Sequence, residues 1–112
     1  VNLFQKIATH QIAADIVFEM EEFLAFRDIN PQAPVHVLII PKRCIPRIDE
    51  ATAEDAALLG RMLAAVPEIA RQCGVAESGY RLVINNGPDA GESVPHLHLH
   101  LLGGRALHWP PG

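Results

Sequence analysis

The chain has 112 residues, 49% of them apolar and 20% charged, and a formal net charge of −4. This is the length of a single domain (1–112, tail 103–112 included) with enough apolar side chains for a core, and no segment approaches a membrane span. An acidic chain without a run of lysine or arginine excludes a binder of nucleic-acid polymer, which needs a basic face, but leaves room for a single nucleotide.

In chain order, Leu3, Phe4 and Ile7 in LFQKI fit one face of a short helix. IVFEM (16–20) and FLAFRDI (23–29) read as two strands joined tightly at Glu21-Glu22, and the prolines of NPQAP end the second. VHVLIIP (35–41) is apolar on both faces, as a central strand would be, and carries His36. Thr52-Ala-Glu-Asp55 has the form of a capping box. It should start a long helix with a stripe of Leu58, Leu59, Met62, Leu63, Val66, Ile69, Ala70 and Cys73, closed by Gly74. Pro67 lies inside that helix and should kink it or remove a hydrogen bond. YRLVIN (80–85) is a fourth strand, NGPDAGES (86–93) a glycine-rich loop, and VPHLHLHLL (94–102) the last strand. Five strands with one long helix between the third and fourth, on short connections, predict an antiparallel α+β domain.

Cys44 and Cys73 lack CxxC spacing and are too few for a disulfide framework. With no secretory signal in view, they read as reduced thiols of an intracellular, cytoplasmic protein. The chain opens on Val1 rather than methionine, which leaves its N-terminal boundary open.

His96, His98 and His100 alternate with leucine in PHLHLHLL. On a strand the three imidazoles share one face and Leu97, Leu99 and Leu101 point into the core. The histidine row should then face water or a ligand. One alternative is a plain outward polar face. A second is a metal site, but a single ion cannot easily take all three rings, because the outer Cα atoms lie roughly 13–14 Å apart at about 3.4 Å per residue. The third is catalysis: a neutral imidazole whose second nitrogen holds its proton is a nucleophile toward phosphorus, and its neighbours can bind phosphate oxygens or pass a proton. Gly91, Glu92 and Ser93 just upstream offer backbone N–H groups and a hydroxyl. No GxxxxGK[ST] is present.

PHLHLHLL matches His-φ-His-φ-His-φ-φ, with φ hydrophobic. Together with FRDINPQAPVHVLIIPK and LGGR…HWPPG, it resembles the nucleotide-binding (Hint) branch of the histidine-triad superfamily, from Leu3 to the last residue. The resemblance implies a five-stranded antiparallel sheet with one long and one short helix, pairing into a ten-stranded sheet in a homodimer. It implies a purine nucleoside phosphoramidase without cofactor or metal. Its substrates would be of AMP-amine and aminoacyl-adenylate type, with AMP, GMP or their phosphoramidates as ligands and no membrane partner.

In that scheme His98 attacks the α-phosphorus and forms a nucleotidyl-histidine. His96 and His100 orient it and contact phosphate, His36 supports it, and Ser93 bonds the leaving group or phosphate. Asp28 binds the ribose; Leu3, Phe4, Ile7, Phe26 and Ile29 form the purine pocket; and Asn85, Gly91 and Glu92 lie at the phosphate side. Two residues depart from the common pattern. Glu92 stands where many members have glutamine, so its backbone alone is a safe phosphate ligand. Cys44 stands where some carry a histidine linked to metal. Arg27 adds positive charge near the nucleotide end. His10 and His108 have no assigned role. The helix stripe and the tail around Trp109 are candidate dimer contacts. Dinucleoside polyphosphate hydrolysis and a non-catalytic nucleotide-binding regulator are the alternatives.

Overall fold

The computed structural model describes residues 2–112. Five strands form one antiparallel sheet: β1 (Ile16–Glu19), β2 (Phe23–Arg27), β3 (Val35–Pro41), β4 (Tyr80–Val83) and β5 (Leu99–Gly103), in the order β1-β2-β3-β5-β4. A short helix, α1 (Leu3–Ala8), covers one face and a long one, α2 (Ala56–Gln72), the other. This is the expected α+β architecture.

β3 is central because it is apolar on both sides. Val37 and Ile39 join the layer under α2, while Leu38 and Ile40 join the layer under α1 with Phe4, Ile7, Leu24 and Phe26. Fully burying each such side chain contributes about 2 kcal/mol. Leu97, Leu99 and Leu101 lie in the α2 layer, as the alternation of leucine and histidine requires. The histidines are therefore committed to the α1 side of the sheet.

The α2 stripe buries Leu58, Met62, Val66, Ile69 and Ala70, whereas Leu63 stays 52% exposed. The capping box forms at Thr52, whose N–H donates to the Asp55 carboxylate at 2.8 Å. The first turn, Ala53–Asp55, is nevertheless a 3₁₀ turn, and the α-helix starts at Ala56. Asp55 is buried and ion-paired with Arg43; the Thr52 N–H, aided by Arg43, holds its carboxyl below the usual range. Gly74 takes the left-handed turn (φ 78°) that ends the helix. α2 runs through Pro67, which sits on its exposed side. Leu63, whose carbonyl loses a donor there, is on the solvent side as well, so water can replace the missing bond.

Several strands are shorter than the sequence suggests. β1 stops at Glu19, and the Met20 N–H closes a turn on the Phe23 carbonyl. β2 stops at Arg27, after which the Asp28 side chain captures the Asn30 N–H (2.9 Å) and turns the chain. β4 ends at Val83, opposite His100.

The largest departure is at the last strand, expected over 94–102 but regular only from Leu99. Continuing the β3–β5 register, in which partner numbers sum to 138 (35 and 103), would place Leu97 opposite Pro41. Pro41 has no N–H, and its carbonyl is taken by the His96 ring at 2.7 Å. The Leu97 N–H goes instead to the Ile45 carbonyl. His96 and His98 therefore stand on a bent segment just before the strand.

After β5 the chain turns at Gly104 (φ 90°), where an added Cβ would lie 2.8 Å from the Pro34 Cβ. Gly104→Ala should destabilise the fold by about 1–3 kcal/mol through strain and contact. Gly60→Ala, in α2 with open space around it, should stabilise by about 0.5–1 kcal/mol. Urea unfolding of both variants checks the contrast.

Candidate active site

A cavity of about 290 Å³ opens between α1, the 12–14 segment, the end of β2 and the histidine segment. It brings together Leu3, Phe4, Ile7, Phe26, Asp28, Ile29, Ser93, His98 and His100, nine of the residues singled out in the sequence. Ile29 contributes only a rim, being 97% exposed. His36 and His96 stand behind the wall, and Asn85, Gly91 and Glu92 do not line the space. Ile12, Ala13, Ala14, Arg27, Leu38 and Val94 complete it. The 12–14 residues carry no local signal, because a wall built of coil is set by where the chain returns to the sheet.

The histidine row is less open than expected: His96 is fully buried and His98 only 7% exposed. Phe4 packs edge-on against both rings, 5.9 Å from His96 and 5.1 Å from His98 between centroids. α1 thus fixes the nucleophile candidate as well as the cavity wall. Its N-cap, Asn2, takes the Gln5 N–H on its side-chain oxygen and places its amide nitrogen 3.3 Å from His96 Nδ1.

Backbone partners decide which ring nitrogen carries each proton, since a carbonyl only accepts and an N–H only donates. The His96 carbonyl, 2.7 Å away, requires a proton on His98 Nδ1. His98 Nε2 then presents a lone pair. Equally, the Pro41 carbonyl requires His96 to be Nε2–H, with Nδ1 accepting from Asn2.

The Gln32 N–H donates to His36 Nδ1 at 3.0 Å, so His36 carries its proton on Nε2 and donates to His100 Nδ1 at 2.9 Å. His100 is thereby an Nε2–H donor, and that buried atom has no partner among the described residues. His36 reaches His100, not His98, directly. Asp28 Oδ2 lies 3.6 Å from His36 Nε2. These three side chains have ligand atoms within 4.8 Å of one another, close enough to hold a metal ion, but the two imidazoles are already joined by a proton.

Burial is the main reason the imidazolium forms are disfavoured. It lowers the pKa of His36 and His96, with the Pro41 carbonyl opposing the shift at His96 and Asp28 opposing it at His36. His100 is pushed down to about 4 by burial first, then by His98 and His36. The site thus keeps His36, His96 and His100 neutral.

The loop before the histidines is tied down from a distance. Glu92 receives Nε (3.0 Å) and Nη2 (2.9 Å) of Arg47 and the Gly87 N–H (3.0 Å). Those bonds hold its carboxyl at about 2, the Arg47 contacts first. Asn86 and Asp49 make a second tie. The expected backbone ligands are also engaged: the Glu92 N–H bonds the Gly87 carbonyl and the Gly91 N–H that of Pro88. Arg47 was not singled out, because it meets Glu92 across 45 residues and carries no local pattern. Arg27 lines the cavity mouth, paired with Asp15 at 3.3 Å.

The sheet carries its histidine row on one face, beneath a short apolar helix. Residues 9–107 match the family model of the HIT domain, and the chain belongs to that family. It is 59% identical over 111 residues to an uncharacterised HIT-like protein of Synechococcus elongatus, covering 99% of this chain and 96% of the relative. A HIT family hydrolase from Legionella pneumophila superposes with a TM-score of 0.96 at 50% identity over 100% of both chains. A histidine triad nucleotide-binding protein from Candida albicans does so at 0.83 and 29% identity, over 98% of this chain and 83% of that one.

Stability should record the neutral imidazoles. A group whose pKa falls on folding contributes stability above its unfolded value and loses it as pH drops. Unfolding midpoints should therefore fall from pH 6.5 toward about 4, the interval over which His100 resists its proton. His100→Asn should flatten that slope while leaving the steeper carboxylate loss at lower pH.

Proposed function

We propose that this chain is a purine nucleoside phosphoramidase, cleaving AMP-amine and aminoacyl-adenylate type substrates through a nucleotidyl-His98 intermediate. The observation that carries this reading is the His98 ring. Its Nδ1–H is held by a carbonyl, which leaves Nε2 as a free lone pair at a cavity large enough for a nucleoside. The names of two relatives point the same way, one a HIT family hydrolase and the other a nucleotide-binding protein.

On this reading the purine, of AMP or GMP, lies among Leu3, Phe4, Ile7, Phe26 and Ile29, and the ribose hydroxyls donate to Asp28. His98 Nε2 attacks phosphorus, the phosphorus–nitrogen bond breaks, and the amine leaves with the electron pair, taking up a proton from solvent. The phosphorylated ring is cationic, and the carbonyl already on its Nδ1–H stabilises that charge. His100 Nε2–H is the donor suited to a phosphoryl oxygen, with Ser93 at the leaving-group side. Water then attacks phosphorus, its proton passes to solvent, and the phosphorus–Nε2 bond breaks to return the lone pair to His98 and release the nucleotide. His36 and His96 act as positioning residues. The two unpaired cysteines suit a cytoplasmic setting.

The same reading pairs two copies along β4, a sheet edge whose Tyr80 and Leu82, with Ile84 beyond it, are 37–42% exposed. Much of the α2 stripe is used inside the chain, which leaves Leu63 and Trp109 for the partner. Leu82→Glu should convert a dimer to a monomer by light scattering; a monomeric wild type would remove this part.

His98→Ala should retain the fold and lose turnover of an adenosine phosphoramidate by roughly 10⁴-fold or more. A trapped nucleotidyl group should map to His98. Undiminished turnover in the variant would overturn the mechanism. Faster cleavage of a dinucleoside polyphosphate by the wild type would favour the alternative chemistry, and nucleotide binding without turnover the regulatory one.

A further inference from the structure

The LGGR segment after the last histidine has no part in the reaction just described, yet it touches the loop that governs the histidine row. Arg105 donates from Nη2 to the Gln32 carbonyl and from Nη1 to the Ala106 carbonyl, both at 3.0 Å, and makes no ion pair among the described residues. Next to it, Gly104 passes so close to Pro34 that no side chain fits. Both contacts fall on the Asn30–Pro34 loop. This is the loop whose Gln32 N–H meets His36 Nδ1.

That N–H matters because the His36–His100 bond is ambiguous by itself. The same 2.9 Å separation serves either of two proton arrangements. With the proton on His36 Nε2, His100 keeps its own on Nε2, facing the site as a donor. With the proton on His36 Nδ1, His100 donates from Nδ1, and its Nε2 becomes a lone pair where an anion would meet it. The Gln32 N–H excludes the second arrangement, since it cannot accept. Asp28, 3.6 Å from His36 Nε2, biases the pair the same way.

Gln32 is exposed and outside any strand. Released, its place beside His36 Nδ1 would go to water, which donates and accepts equally well and dictates nothing. We infer that Arg105 is a positioning residue which, by pinning Gln32, sets the tautomers of His36 and His100 from across the tail.

The test is side-chain ¹⁵N NMR of histidine-labelled full-length protein at alkaline pH, where pyrrole-type and pyridine-type nitrogens are distinguished. In the wild type, His36 and His100 should each show a protonated Nε2. Arg105→Ala should give both residues a mixed signature while His96 and His98 keep theirs. Arg105→Lys, which retains a donor for the Gln32 carbonyl, should restore the wild-type pattern. Arg105→Met keeps the apolar stem without a donor and replaces the alanine arm should that variant fail to fold.

Unchanged His36 and His100 signatures in the donor-free variant overturn the inference, even if the variant is less stable, because a merely structural clamp predicts that result. In turnover of an adenosine phosphoramidate, kcat should fall about tenfold with KM within about twofold. This last readout rests on the phosphoramidase reading. The NMR readout does not, so failure of one is separable from failure of the other.

Discussion

The hydrogen bond from His98 Nδ1–H to the His96 carbonyl is the contact on which the rest of the site depends. It exists because the segment 94–98 leaves the ladder. In a regular strand that carbonyl would belong to a neighbour; here Pro41 ends β3 without an N–H to offer and hands its own carbonyl to the His96 ring. The carbonyls of Pro41 and His96 thus each fix one imidazole. The strand period still sets the facing of the row, since Leu97 and Leu99 are held in the α2 layer. Sheet geometry aims the histidines, and the break in the sheet assigns their protons.

The site's electrostatics follow from that arrangement. Four imidazoles within one layer cannot all be charged, and burial settles the matter by keeping His36, His96 and His100 neutral. A neutral ring still donates through its N–H, so the row offers directed hydrogen bonds without mutual repulsion. On the proposed reading, the one charge the layer must take is that of the nucleotidyl-His98 ring, whose Nδ1–H already faces a carbonyl dipole.

How much of this was legible in the sequence depends on the range of the interaction. Leu97, Leu99 and Leu101 announce which face is core, and VHVLIIP announces the centre of the sheet, because both signals are periodic and local. Nine cavity residues were likewise within reach of the motifs around Leu3, Asp28 and His98. The break at Leu99 was not, although Pro95 and Pro41 were both in view: only the pairing register shows that Pro41 would have to partner Leu97. Arg47 and Arg105 were invisible for the same reason. Each acts on a residue tens of positions away, and an arginine on a loop has no pattern of its own.

Glu92 shows how such a distant contact changes the meaning of a residue. A free carboxylate beside a phosphate would repel it, and the departure from glutamine looks costly on that ground. Bound by Arg47 and the Gly87 N–H, with its carboxyl at about 2, it faces away as one half of a loop tie. The anionic end of a nucleotide would then meet neutral donors, not cations, for among the described cavity residues Arg27 is the one positive group and it sits at the mouth with Asp15. Hydrogen bonds from neutral groups hold an anion more weakly than charged ones do. On the proposed reading, affinity must therefore come chiefly from burying the base against Phe4, Ile7 and Phe26. The phosphate end is left free to change bonding partners as the nucleotidyl group passes from amine to His98 to water.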